Sequence, residues 1–373
     1  MKIDATEQYV FGVEQSILGK RWIVERPKNP ILTMGFAQQF NLPEIIASII
    51  ASRGIDPKGV NAYLYPKLNH YLPDPFHLKG MKEGISRLIS ALKEGQKIAI
   101  LGDYDVDGAT SSALLYRYFR ALGLKIRIYI PDRIEEGYGP SNSAMDTLKS
   151  EGVEVVLTLD CGTTAHECLS YAKKQNLDVI VVDHHVAEIG LPDAVAVINP
   201  NRLDEDSPHK QMAAVGVTFL LLVGLNKVLR EDGFFRKNKI TEPDVMQWLD
   251  LVALGTVADV VPLKGVNRAL VKQGIKVIAM RRNLGLTALA DVAGLDEVPG
   301  SYHLGYVFGP RVNAGGRVGK SYLGALLLST EDPNEAKKTA EILDSYNRER
   351  KQIEADIYEE ALGLIESKSN SQI

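Results

Sequence analysis

Asp103, Asp105 and Asp107 stand at every second position of LGDYDVDGAT, directly after an apolar run and directly before a helix-like one. Carboxylates this close repel one another unless cations or hydrogen-bond donors neutralise them. More acids and two imidazoles end later apolar runs: Asp160 in TLDCG, and Asp183, His184 and His185 in VVDHHVA. Asp259 in ADVVPL is a lone charge among Val and Ala, a position that demands a cation or hydrogen-bond donors. Many carboxylates with one or two imidazoles and no thiolate suit Mn²⁺ or Mg²⁺ better than zinc or copper, and the acids suffice for two ions. Two such ions roughly 3.5 to 4 Å apart lower the pKa of a bridging water and hold the oxygens of an in-line displacement at phosphorus. The chemistry implied is hydrolysis of a phosphoester or phosphoanhydride.

The elements that must position these groups follow from hydrophobic pattern. From about residue 81, helix-length segments (MKEGISRLISALKEG, ATSSALLYRYFRALG, PSNSAMDTLKSEG, AHECLSYAKKQ) alternate with Val, Ile and Leu runs (KIAILG, KIRIYIP, VEVVLTLD, LDVIVVD, AVAVINP). Unbroken apolar strands separated by helices predict an α/β fold, a doubly wound, mostly parallel sheet covered on both faces. Ligands of such sheets gather beyond the carboxyl ends of the strands, where DYDVDG, Asp160 and the Asp183–His185 cluster all fall. Residues 1–80, with helix signals and proline-broken connections, read as a helical lead-in, 81–330 as the catalytic domain, and 331–373 as a long connecting helix.

Single features have simpler readings. DxDxDG opens a calcium-binding EF-hand loop, but Leu114 stands where the bidentate Glu belongs and a strand precedes instead of a helix. A lone strand-end Asp is commonly a helix cap, and an adjacent His pair commonly a structural one. Independent caps, however, have no reason to collect at one sheet edge without compensating Lys or Arg inside the motifs.

Composition narrows the class. A net charge of -4, from 43 basic and 47 acidic side chains, leaves any polyanion site to be argued from local residues. Two cysteines, Cys161 and Cys168, form no disulfide framework and fit a reducing cytoplasm. The start, MKIDATEQYVFG, lacks the pattern of a signal peptide, and the apolar stretch MAAVGVTFLLLVGL is too short to span a bilayer and reads as a buried helix. The expectation is a cytoplasmic monomer without membrane contact.

DYDVDG, LDCG, the DHH triplet at Asp183 to His185 and ADVVPL resemble, in order, the four motifs of the DHH phosphoesterase family. FGPRVNAGGRVG, PDRIEEGYGPS, LPDPFHLKGM and LDSYNRERKQIE are similar to segments of one branch, the bacterial RecJ single-strand-specific exonucleases. The resemblance implies that Asp105, Asp107, Asp160, His184 and Asp259 ligate two divalent ions, Mn²⁺ or Mg²⁺, with Asp160 bridging and Asp103 a ligand or close neighbour. It implies that Asp183 orients an imidazole from behind while His185 faces the scissile phosphate. Arg133 and Arg311 are candidates to hold a nucleic-acid phosphate, with Asn313 and Arg317 shaping that wall; a structural salt bridge across the domain is the alternative for each arginine, and the glycines around Arg311 to Arg317 open a close backbone approach to a ligand. The implied activity is 5'-to-3' exonuclease action on single-stranded DNA in repair and recombination, with proteins of those processes as partners. A DHH hydrolase of short oligonucleotides, cyclic dinucleotides or pyrophosphate, and a nucleic-acid-binding fragment without turnover, are the alternatives. The family's GGH-type and oligonucleotide-binding domains have no counterpart here, and the GGR at Gly315 to Arg317 belongs to the earlier signature.

Overall fold

The computed structural model describes residues 9, 12–23, 30–133 and 136–370, with side chains to residue 365. Ile134 and Glu135 of PDRIEEGYGPS, most of MKIDATEQYVFG and the side chains of SKSNSQI lie outside the described residues. Two compact units divide at Lys67 and Leu68. The first holds the helices Pro30–Gln39, Glu44–Ser52 and Val60–Leu64 around a small core of Phe36, Ala47, Ile50 and Val60.

The second unit carries the sheet: β1 (Ile98–Gly102), β2 (Arg127–Tyr129), β3 (Val155–Leu159), β4 (Asp178–Val182) and β5 (Ala196–Ile198). All pairings are parallel, in the order β2-β1-β3-β4-β5. The doubly wound sheet expected from the apolar runs is therefore present, and every residue of β1 and β3 is buried. Between β1 and β3 the chain reverses its direction of winding, which opens a crevice at the carboxyl edge. Backbone pairing continues one step past the strands, Asp103 N–H donating to Leu159 O, Asp160 N–H to Val182 O and Asp183 N–H to Ile198 O, at 3.0 to 3.1 Å. Three acids are thus launched side by side from one edge.

Helices pack on both faces. Ala214–Glu231, the segment read as a buried helix, is buried along nearly its whole length, and none of the described helices is long and apolar enough to cross a membrane. The long helix Pro333–Asn370 places Ala336, Ala340, Leu343 and Asn347 in the core, whereas Ile353 and Ile357, which share the expected helical spacing, are exposed. Its first turns therefore belong to the packed body. The signature segment, whose glycines suggest a close approach to a ligand, forms the regular helix Gly309–Val318. Gly316 admits the ring of Tyr104, which a Cβ there would meet at 2.8 Å, so the close approach is to the protein itself.

Candidate metal centre and its rim

Each acid reaches the crevice by a different local device. Asp105 is the N-cap of the helix Val106–Ala121, accepting from Gly108 N–H at 3.0 Å through one carboxylate oxygen. Gly108 is required beside it, since a Cβ there would stand 2.4 Å from the Asp103 carbonyl oxygen. Asp107, in the first turn of the same helix, accepts from Ala214 N–H at 2.6 Å and Val215 N–H at 2.8 Å. Those donors begin the helix Ala214–Glu231, whose positive end favours a carboxylate. Asp160 takes a left-handed backbone conformation, φ 62°, which turns its side chain out of the strand direction into the crevice mouth. Asp259 follows the last turn of the helix Leu249–Ala258.

These side chains and His184 converge. His184 Nε2 lies 3.3 Å from Asp160 Oδ1, 3.6 Å from Asp259 Oδ2 and 3.8 Å from Asp107 Oδ2. Three triads have donor atoms mutually within 4.8 Å: Asp103, Asp105 and Asp160; Asp107, His184 and Asp259; and Asp160, His184 and His185. Asp103 Oδ1, Asp160 Oδ1, His184 Nε2 and Asp259 Oδ2 are buried without a hydrogen-bond partner. Four unpartnered buried donor atoms aimed at one space are a liability unless a cation occupies it, so the residues present fit divalent metal.

Electrostatics agree. Burial, then the neighbouring Asp105, pushes the Asp103 carboxyl up to about 7. Burial followed by Asp105 does the same to Asp259, also to about 7. Asp107 and Asp160 are raised well above the usual carboxylate range, first by burial and then by acidic neighbours, Asp259 for the former and Asp107 for the latter. Burial also acts to raise Asp183, but hydrogen bonds from the His185 ring and Thr163 N–H outweigh it and hold the carboxyl below its ordinary range.

The DHH triplet divides its work. Asp183 Oδ1 receives His184 N–H at 2.7 Å and His185 N–H at 3.2 Å, and pairs with His185 Nδ1 at 2.8 Å. This carboxylate raises the His185 imidazole pKa, while burial lowers that of His184. His184 is thereby biased towards the neutral form a ligand needs, and His185, half-exposed, towards the charged form. Sequence reading missed Asn199 and Asn201, whose side-chain amides donate to the carbonyl oxygens of His185 and His184. Their signal was available, since INPN ends the fifth apolar run at the same sheet edge. Tyr138 was missed as well: its hydroxyl donates to Asp160 O at 3.2 Å.

The candidate phosphate residues separate into two groups. Arg133 lies over the Tyr104 ring, 5.2 Å from its centroid, and Tyr104 meets Tyr138 edge to face. Arg317, exposed, acts on the same tyrosine: burial and then Asp103 raise the Tyr104 hydroxyl pKa, with Arg133 and Arg317 opposing. Asn313 accepts from Val106 N–H at 3.1 Å, fixing the first residue of the helix that carries Asp107. Arg311 points elsewhere, to Asp344 at 2.9 Å and to Val307 O at 2.8 Å. Both members of that ion pair are about 15% exposed, which makes it the salt bridge across the domain. Arg311→Met is expected to cost roughly 2 to 3 kcal/mol, part of the penalty being relieved by Arg348 near Asp344. A melting temperature lower by several degrees is the readout; an unchanged melting temperature with weaker binding of 5'-phosphorylated strands would return Arg311 to the phosphate wall.

Comparison with known proteins is consistent with this geometry. Residues 97–256 match the DHH family, N-terminal domain. The single-stranded-DNA-specific exonuclease RecJ of Salmonella typhimurium is 39% identical over 334 residues, 89% of this chain. This chain spans 57% of that relative's length. A crystal structure of exonuclease RecJ bound to manganese superposes with a TM-score of 0.68 at 35% identity, covering 79% of this chain and 71% of the other. RecJ of Thermus thermophilus in complex with Mn²⁺ superposes with a TM-score of 0.73 at 31% identity, covering 91% and 47%.

Proposed function

Since this chain belongs to the DHH family and sits with its RecJ branch, we propose that it is the catalytic part of a two-metal phosphodiester hydrolase acting from the 5' end of single-stranded DNA. The observation that carries the reading is the set of four buried, unpartnered donor atoms of Asp103, Asp160, His184 and Asp259 at the β1/β3 crevice. Asp105, Asp107, Asp160, His184 and Asp259 would hold two Mn²⁺ or Mg²⁺ ions, with Asp160 as the link, since it groups with Asp103 and Asp105 on one side and lies 3.3 Å from His184 of the Asp107 and Asp259 group on the other. Bound there, the ions supply charge neutralisation and the acidity that activates water for in-line attack.

The protein's own residues do the rest. Asp107, pinned by two helix-end N–H groups, keeps its carboxylate oriented. Asp183 fixes the His185 ring through Nδ1, which leaves Nε2 facing outward, able to donate to a phosphate oxygen when the ring is protonated. Asn199 and Asn201 hold the backbone of both histidines in place. Arg133 on the Tyr104 face, with the exposed Arg317 following the Gly316 that packs on the same ring, provides the cationic edge that receives the terminal phosphate, an arrangement that supports action at a strand end.

The test is digestion of single strands labelled at the 5' or the 3' end, with Mn²⁺. Immediate release of label as mononucleotide from the 5' end is expected. Arg133→Ala is expected to weaken use of 5'-phosphorylated ends by about tenfold, as for loss of one charge-assisted contact. Unchanged cleavage of those ends in the variant would remove Arg133 from the phosphate site, and cleavage of only dinucleotides or pyrophosphate would replace the exonuclease reading.

A further inference from the structure

Tyr302 and Tyr306 form a surface feature that folding does not explain. Their rings stack with centroids 5.0 Å apart and an interplanar angle of 27°, yet they are 65% and 71% exposed. Large aromatic surface left in water contributes nothing to folding, and a pair held parallel presents a flat face. The pair is also braced: the His303 ring meets Tyr302 edge to face at 5.6 Å, and His303 Nε2 is tied to Glu297 at 3.0 Å.

Its position links it to the centre. The helical run from Ser301 to Val318 passes through a π-helical turn at Leu304–Phe308, a distortion common near functional sites. Tyr302 and Tyr306 lie at the start of this run, and Asn313 and Arg317 follow in its regular α-helical part. Asn313, further along the run, holds the Asp105–Asp107 turn, and Gly316, the residue before Arg317, packs against the Tyr104 ring. The same run is seated on the end of the helix that delivers Asp259: an added Cβ at Gly305 would be 3.5 Å from Val257, and one at Gly309 3.2 Å from Ala258. Val260, next to Asp259, is held at φ 62° and is 85% exposed, an uncommon state for a β-branched residue. By helical rise Tyr306 is roughly 10 Å from Asn313, within reach of a strand whose end lies at the metal centre.

We propose that Tyr302 and Tyr306 form a stacking platform for a nucleobase of the single strand, a few nucleotides from the bond being cut. The proposal rests on the single-strand hydrolase reading above and adds a subsite to it. Stacking on an aromatic face tolerates any base, so the platform grips length rather than sequence.

The experiment compares wild type, the double variant Tyr302→Ala with Tyr306→Ala, and the double variant Tyr302→Phe with Tyr306→Phe. Substrates are a thymidine oligonucleotide of about 20 nucleotides and a 5'-phosphorylated thymidine dinucleotide, with Mn²⁺. Removal of the rings is expected to raise KM for the oligonucleotide about tenfold at nearly constant kcat, and so to lower the oligonucleotide-to-dinucleotide ratio of kcat/KM about tenfold. The phenylalanine pair, which keeps the stack, should match wild type. An unaltered ratio in the alanine pair overturns the platform. If wild type cuts neither substrate, the hydrolase reading fails, and the platform is judged by anisotropy of the labelled oligonucleotide with Ca²⁺: a Kd equal in wild type and the alanine pair overturns it, while a Kd about tenfold weaker upholds it.

Discussion

Asp160→Ala is expected to lower Mn²⁺-dependent hydrolysis by about a thousandfold or more while leaving the fold intact, because a divalent ion's charge stabilisation is worth several kcal/mol in the transition state. Asp160 touches more of the cluster than any other acid here: it belongs to two triads, and its Oδ1 is 3.3 Å from His184 Nε2. The variant removes a buried carboxylate that has no hydrogen bond to that oxygen, a gain that offsets the cost of an alanine at φ 62°, so folding should be little changed in the absence of metal. Circular dichroism at wild-type amplitude together with lost turnover is the expected pair of results. Retention of more than about a tenth of the wild-type rate would show that the two groups of acids do not depend on a shared ligand.

The second large effect is on stability. Without metal, Asp103 and Asp259 have folded pKa values near 7, above the ordinary carboxylate range. A raised acid favours the folded state only while protonated, so the folded protein binds the extra protons and stability falls as pH rises from about 4 to about 7. Divalent ions reverse the preference by binding the ionised carboxylates, and stabilise the protein with the logarithm of their concentration above Kd, by about 2.7 kcal/mol at a hundredfold excess. Thermal denaturation at about pH 5 and about pH 8, with EDTA or with Mn²⁺, should therefore show metal stabilisation that is small at the lower pH and large at the higher. Equal shifts at both pH values would mean that these carboxylates are not where the ion binds.

Much of this centre was legible in the linear chain. The apolar runs and helix-length spacers determined a parallel sheet, and the residues ending those runs determined that acids and imidazoles would meet at its carboxyl edge. The donor types alone selected hard divalent cations over zinc. Those inferences are local or depend on a general property of doubly wound sheets, so they survive ignorance of the tertiary structure.

What only the tertiary structure decided concerns partners far apart in sequence. Asp107 is held by the N–H groups of Ala214 and Val215, more than a hundred residues away, because the sheet and the helix after it must pack before those donors exist in one place. Arg311 and Arg133 look alike in sequence, yet one is drawn to Asp344 on the long helix and the other lies on Tyr104 at the rim. The glycines of GPRVNAGGRV suggest a close approach to a ligand, whereas in the fold Gly316 faces the ring of Tyr104 and Gly315 the side chain of Leu343 on the Pro333–Asn370 helix. Residue type and spacing thus determined which donor groups meet at the sheet edge, whereas packing between distant segments decided which of those side chains are left without a protein partner, since a charged group's partner is set by position in space and not by its neighbours along the chain.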